Sequence, residues 1–238
     1  LSSAVTVMEG YNGVQRLEGD ILYDGDLSAW IKFSRSLLLK AYVRVSAADF
    51  NGGALGGGPV ERFFDNAFRE EELISENSEN AVFNFAPGPP NDYPLARARI
   101  GIFNVFLMSE TAATVFNDLN DPRIEVLYRA SAANGDFRGI ANGIDPASSI
   151  VPDNFARPGR VFRENSADFQ FNFLTAWEVN CMIAEQLVTY ADTTIVSPKI
   201  YYERGVRQAF DYWNVEMPED YLTTGSAAYD PSRSLEQI

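Results

Sequence analysis

Apolar side chains recur at three- and four-residue steps through Trp30, Ile31, Phe33, Leu37, Leu38, Ala41, Tyr42 and Val45. That period predicts a helix with a wide buried face. The turn Asp24-Gly25-Asp26 hands over to it, Asp26 or Ser28 supplies the N-cap, and the pattern ends near Ser46. Asn51-Gly52-Gly53 and Gly56-Gly57-Gly58-Pro59 then break the chain. A shorter helix is expected from Val60 to Glu72, with Phe63, Phe64, Ala67 and Phe68 on one side. From Ala86 to Pro94, four prolines and a glycine rule out regular structure.

The hydroxyl of Ser109 can cap the next helix, and Glu110 favours its dipole. That helix ends before Asp121-Pro122. Arg123 to Arg129 reads as a strand, Asn134-Gly135 as the tight turn of a hairpin, and Asp136 to Ala141 as the returning strand. Asn142 to Gly159 is loop. Thr175-Ala176-Trp177-Glu178 is a capping box that opens a helix with the stripe Val179, Ile183, Leu187. Ser197-Pro198 opens another, with Tyr202, Val206, Ala209, Phe210 and Trp213 on one face. These two helices are expected to pair as a helical hairpin. Ser234-Leu235-Glu236-Gln237 repeats the capping-box pattern just before the sequence stops at Ile238, so the sequence is read as a fragment or as the ordered part of a longer chain. The expected fold class is mainly α, with one small β-hairpin and long loops.

Composition narrows the chemistry. The chain has 238 residues, 46% of them hydrophobic, enough for a sizeable core in one large domain or two small ones. No apolar run approaches the ~20 residues of a membrane-spanning helix. The N-terminus Leu1-Ser2-Ser3 lacks the basic start and apolar centre of a signal peptide. A net charge of −14 repels phosphate backbones and argues against nucleic acid as a partner. The single cysteine, Cys181, is expected to be a buried, inert thiol within an apolar helix. With no histidine in the chain, Ser-His-Asp catalysis, Cys-His catalysis and histidine-based zinc sites are excluded. The glycines at 52–58 follow a helix and carry no Gly-Lys-Ser/Thr, so they read as a linker and not a phosphate loop. Asp20, Asp24 and Asp26 fail the calcium-loop spacing and read as turn and cap residues. No cofactor and no metal are expected.

Most aromatics sit on helical stripes and belong to the core. Tyr93, Phe137 and Phe155 lie in loops without periodic partners. Tyr93 follows Asn91 and Asp92, whose side chains offer acceptors and, from Asn91, donors to hydroxyl groups. Pro89, Pro90 and Pro94 would stiffen that loop and reduce the entropy lost on binding. The expected ligand-binding set is Asn91, Asp92 and Tyr93, with Arg138 as a second wall. Carboxylates are abundant enough for an acid-base pair, but no spacing selects two of them.

Five stretches, in order, resemble the SusD/RagB family in its SusD-like branch. They are Gly19 to Leu37 (GDILYDGDLSAWIKFSRSL), Met108-Ser109-Glu110-Thr111 with Leu119-Asn120-Asp121-Pro122-Arg123, and Gly135 to Gly143 (GDFRGIANG). Phe173 to Val179 with Ile183-Ala184-Glu185 follows, and then Tyr201 to Val206, Trp213 and Leu235-Glu236-Gln237-Ile238. Ser34-Arg35 stands where the family often has Ala-Asn, and Cys181 where a large apolar residue is usual. The resemblance implies a tetratricopeptide-like scaffold, with residues 1–238 as the central part of a single SusD-like domain whose flanks are missing. It also implies a non-enzymatic lipoprotein on the outer face of the outer membrane of a Bacteroidetes-type bacterium, anchored through a segment absent from this sequence. Such a protein captures oligosaccharide or peptide nutrients and delivers them to a SusC-like TonB-dependent transporter. Two other readings stand beside it: a structural subunit of another outer-membrane assembly, and a carboxylate-dependent glycoside hydrolase.

Overall fold

In a computed structural model, which describes residues 2–13, 18–46, 72–86, 88, 90–94, 106–145, 149–162, 169–190 and 196–238, the chain divides into two compact units. The first comprises Leu1–Phe83, Asn172–Tyr212 and Tyr229–Ile238, and the second Asn84–Phe171 and Trp213–Ala228. The expected helix over 60–72, but for its last residue, and the glycine-rich break before it lie outside the described residues.

The first unit is helical. It contains α1 (Ser2–Glu9) and α2 (Leu27–Ser46). Asp26 Oδ1 accepts from the backbone N–H of Ser28 (2.8 Å) and Ala29 (3.2 Å), so the expected cap holds. The fully buried stripe of α2 differs from the expected face. Ser36, Leu39 and Val43 are its deepest residues, whereas Ala41 is exposed and Trp30 and Phe33 are half-buried. Trp30 and Phe33 instead form an aromatic trio with Tyr23, with ring centroids 5.6–6.3 Å apart. The aspartate turn anchors that trio. Asp20 accepts from Trp30 Nε1 at 2.7 Å and from the backbone N–H of Leu22 and Gly25 at 3.0 and 2.8 Å.

The helical hairpin forms as expected. Val179, Ile183 and Leu187 are buried on the first of its helices, Ala176–Tyr190, and Tyr202, Ala209 and Phe210 on the second, Pro198–Tyr212. Each such large side chain contributes roughly 1.5–3 kcal/mol by leaving water. Gly205 lets the two backbones close up: a Cβ there would stand 3.0 Å from Trp177 O. Thr175 Oγ1 accepts from Glu178 N at 3.4 Å, which is one half of the expected capping box. The Glu178 carboxylate is instead paired with Lys40 Nζ at 2.6 Å, tying this helix to α2. Cys181 is half-buried beside Gly205. The closing turn Ser234–Gln237 has Arg233 at its N-cap position without a side-chain cap hydrogen bond, and Ser234 itself is buried within the turn, so the second capping box is not made as expected.

In the second unit, α3 spans Glu110–Asp118, and Ser109 Oγ accepts from Ala112 N as the sequence predicts. The expected strand Arg123–Arg129 is mostly a helical turn, α4 (Ile124–Leu127), followed by β2 (Tyr128–Arg129). The strand β1 (Ala81–Asn84), most of which belongs to the first unit, pairs with β4 (Gln170–Leu174), most of which does too. β2 pairs antiparallel with β3 (Arg157–Pro158), in the register Tyr128↔Pro158 and Arg129↔Arg157. Asp136–Ala141 is therefore not its partner. Gly135 does make the turn, with φ +73° and its N–H on Ser131 O at 2.9 Å. The segment after it runs out to α3, where Ile140 forms a lone parallel bridge with Ser109. Met108, Ala113, Ile124 and Ala156 form the core here, with Ala112, Phe116, Tyr128 and Phe137 packed around them. Buried Asp121 caps the corner, accepting from Arg123 Nε at 3.0 Å and from the Tyr221 hydroxyl at 3.0 Å. Burial and the neighbouring Asp121 carboxylate both push the Tyr221 hydroxyl well above the usual tyrosine range.

Candidate ligand-binding cleft

α3 presents Glu110, Ala113, Thr114, Asn117 and Asp118 at helical spacing, and these form one wall of a cleft of about 570 Å³. The segment Asp136–Ala141 forms the facing wall, and Ile144 and Phe155 complete it. The walls are held by backbone bonds: Glu110 N to Ile140 O, Ile140 N to Met108 O and Ala156 N to Arg138 O, each 2.8 Å. Asn117 Nδ2 adds a bond to Phe137 O at 3.1 Å. Gly139 is required by this closeness, because a Cβ there would lie 2.2 Å from Ser109 O. Ser131 Oγ bonds the Asp136 carboxylate at the turn.

Arg138 lies over the face of Phe155, 5.6 Å from the ring centroid. Its position is fixed by that stacking and by its own backbone carbonyl. The guanidinium and the Phe155 ring both line the cleft. Glu110, Asp118 and Arg138 are exposed. The cleft gathers carboxylate acceptors, an amide and a fork of N–H donors, a set suited to hydroxyl-rich molecules.

The four residues expected from the sequence separate. Arg138 lines the cleft, whereas Asn91, Asp92 and Tyr93 do not. Their loop is a closed turn, with Asn91 N on Gly88 O (3.2 Å) and Ala86 N on Asn91 O (3.0 Å). Tyr93 is half-buried, its ring 5.3 Å from Phe85 and 4.2 Å from Phe169, and burial raises its hydroxyl pKa. Phe137 and Phe155, the other loop aromatics, are both at the cleft, one packed on the core and one under Arg138. Sequence reasoning missed Thr114, Asn117 and Asp118. Their signal was the polar series 110, 114, 117, 118 on one helical face, which is also how an ordinary solvated face reads. Among the described residues, no group of three His, Cys, Asp or Glu side chains is placed to hold a metal ion, and no helix is long and apolar enough to cross a membrane.

The whole sequence, residues 1–238, matches a protein family described as starch-binding and associating with the outer membrane. Solved structures with the same fold include a SusD homologue from Bacteroides fragilis (18% identity, TM-score 0.79, covering 99% of this chain and 56% of the other). Another, from Bacteroides uniformis, is 21% identical, with a TM-score of 0.75 and coverage of 97% and 47%. A chitin-binding SusD homologue from Flavobacterium johnsoniae is 20% identical, with a TM-score of 0.72 and coverage of 99% and 48%. The chain spans about half the length of these solved structures. No curated protein sequence matches it.

Proposed function

This chain belongs to the SusD-like family, and from that premise we propose that it binds an oligosaccharide at the Arg138 cleft and delivers it to a SusC-like TonB-dependent transporter at the outer face of the outer membrane. The carrying observation is the cleft's polar set, with Arg138 fixed over Phe155 opposite the exposed Glu110, Asn117 and Asp118 of α3. Such a set exchanges hydrogen bonds with sugar hydroxyls on two sides. The turn at Asn91, Asp92 and Tyr93 is a second, separate contact in this reading, through the exposed Asn91 side chain and the open part of the Tyr93 ring.

Binding fits this cleft better than hydrolysis. Of the cleft's three carboxylates, Asp136 is bonded to Ser131 at the turn, and Glu110 and Asp118 are eight positions apart on one helix, roughly 12 Å along its axis. Glycosidase carboxyl pairs stand roughly 5–9.5 Å apart. Calorimetric titration with starch-derived and chitin-derived oligosaccharides, beside a mixture of short peptides, tests the reading. Saturable heat with an oligosaccharide, lost in Arg138→Ala, is expected. Binding of peptides alone, or new reducing ends after incubation with glycan, would overturn it. The partner is tested by purifying the native complex. A β-barrel transporter should accompany the protein, and assembly factors alone would favour a structural subunit.

A further inference from the structure

The charges of the cleft are unbalanced. Its charged lining residues are Glu110, Asp118, Asp136 and Arg138. Asp136 is engaged by Ser131. Among the described residues, Glu110, Asp118 and Arg138 have no ion-pair partner, although each is within a wall pinned by backbone bonds. Glu110 sits in the first turn of α3, where the helix dipole favours a carboxylate. Asp118 closes the same helix, where the dipole's negative end disfavours one. Helix stability therefore does not account for Asp118, which lines the cleft.

We propose that this cleft discriminates among glycans by charge, taking neutral or amine-bearing sugars and rejecting uronate-bearing ones, with Glu110 and Asp118 setting the preference. The proposal rests on the reading that the cleft is the glycan site. A uronate carboxylate brought beside Asp118 and Glu110 meets like charge, a repulsion that salt screens between exposed groups. Arg138 offsets only part of that repulsion, because among the described residues it is the one cation of the lining against the three carboxylates of Glu110, Asp118 and Asp136. A neutral sugar meets acceptors for its hydroxyls, and a protonated amine gains an opposite charge.

The test titrates the 238-residue protein with three probes of matched length: a chitin oligosaccharide, its fully de-N-acetylated counterpart at a pH where the amines are charged, and an oligogalacturonate. At low salt the uronate should bind at least about tenfold more weakly than either other probe, and added salt should narrow the gap. Asp118→Asn and Glu110→Gln should narrow it too, by raising oligogalacturonate affinity, with the thermal melt nearly unchanged. Equal binding of oligogalacturonate, or a gap that neither variant moves, overturns the charge preference alone. Failure of all three probes, and of a starch-derived oligosaccharide titrated beside them, removes the glycan reading of the cleft, and the preference with it.

Discussion

Asn180 Nδ2 donates to Gln208 Oε1 at 2.8 Å between two helices of the first unit, and both side chains are buried. Gln208 Nε2 in turn donates to Ser75 O, its backbone carbonyl accepts from Asn77 Nδ2 at 2.9 Å, and Asn180 also donates to Ala176 O at 3.0 Å. One glutamine side chain thus satisfies polar groups on two other segments. Truncating it strands a buried amide hydrogen and a carbonyl at once. Gln208→Ala should cost about 2–3 kcal/mol, read as a lower urea midpoint with unchanged slope. A loss below ~0.5 kcal/mol would mean that water replaces the side chain.

Two glycines make opposite forecasts. A methyl at Gly139 would meet Ser109 O at 2.2 Å and Glu110 N at 2.5 Å, both backbone atoms that cannot step aside. Gly139→Ala should destabilise the second unit by ~1–3 kcal/mol or more and open the cleft. At Gly205 the nearest atoms are Trp177 O at 3.0 Å and Cys181 Sγ at 3.3 Å, a contact that a few tenths of an ångström relieves. Removing glycine from a helix interior gains about 1 kcal/mol, so Gly205→Ala should be close to neutral. Gly205→Val should cost ~1–3 kcal/mol by forcing the helices apart. Thermal melts of the three variants check the order.

Asp20 makes stability depend on acid. Partial burial pushes its carboxyl up, but hydrogen bonds from Trp30 Nε1 and from the N–H groups of Leu22, Gly25 and Tyr23 outweigh this and hold it at about 2. The ordinary value is 3.8. A depressed folded value means that the contribution is complete above 3.8 and is lost as pH falls through 2. Unfolding midpoints across this window should drop faster for the parent than for Asp20→Asn, which has no carboxyl to titrate. Parallel curves would show that Asp20 is not the titrating group.

Elements written by local chemistry were legible in the sequence. The caps Asp26 and Ser109, the Ser197-Pro198 start and the stripe Val179-Ile183-Leu187 depend on residues within a turn or two of one another. Pairings set by distant segments were not. Tyr128 and Arg129 followed by an Asn-Gly turn have the local pattern of a hairpin, yet their partners are Pro158 and Arg157, nearly thirty residues on. The cause lies in the second unit's core: Met108 and Ala156 are joined through Met108 N to Ala156 O at 2.8 Å, which draws the 156–158 segment in beside β2. On α2 the buried stripe shifted because Trp30 and Phe33 serve the Tyr23 cluster, which leaves Ser36, Leu39 and Val43 as its deepest residues. At the cleft, Arg138 was visible as a loop cation, but Thr114, Asn117 and Asp118 read as solvent-facing until the 136–141 segment was placed opposite them.

Arg138 and Tyr93 should part company on mutation. Arg138 is exposed, bonded to the fold through its backbone, and its guanidinium rests on Phe155 without an ion-pair partner among the described residues. Removing the side chain leaves no buried group unsatisfied. Arg138→Ala should therefore melt within about 0.5 kcal/mol of the parent and lose ~1.5–3 kcal/mol of oligosaccharide affinity, the range for charge-assisted hydrogen bonds. Tyr93 is the reverse case: its ring fills space between Phe85 and Phe169. Tyr93→Ala should cost ~1–3 kcal/mol of stability through lost aromatic contacts. Its effect on affinity should be the smaller of the two, because the loop contact is separate from the cleft. Tyr93→Phe keeps the ring, removes only the hydroxyl, and should restore stability. Calorimetry and melting on all three variants decide the matter. If Tyr93→Ala abolishes binding while Arg138→Ala does not, the site belongs on the 91–93 loop and the cleft is not where the ligand sits.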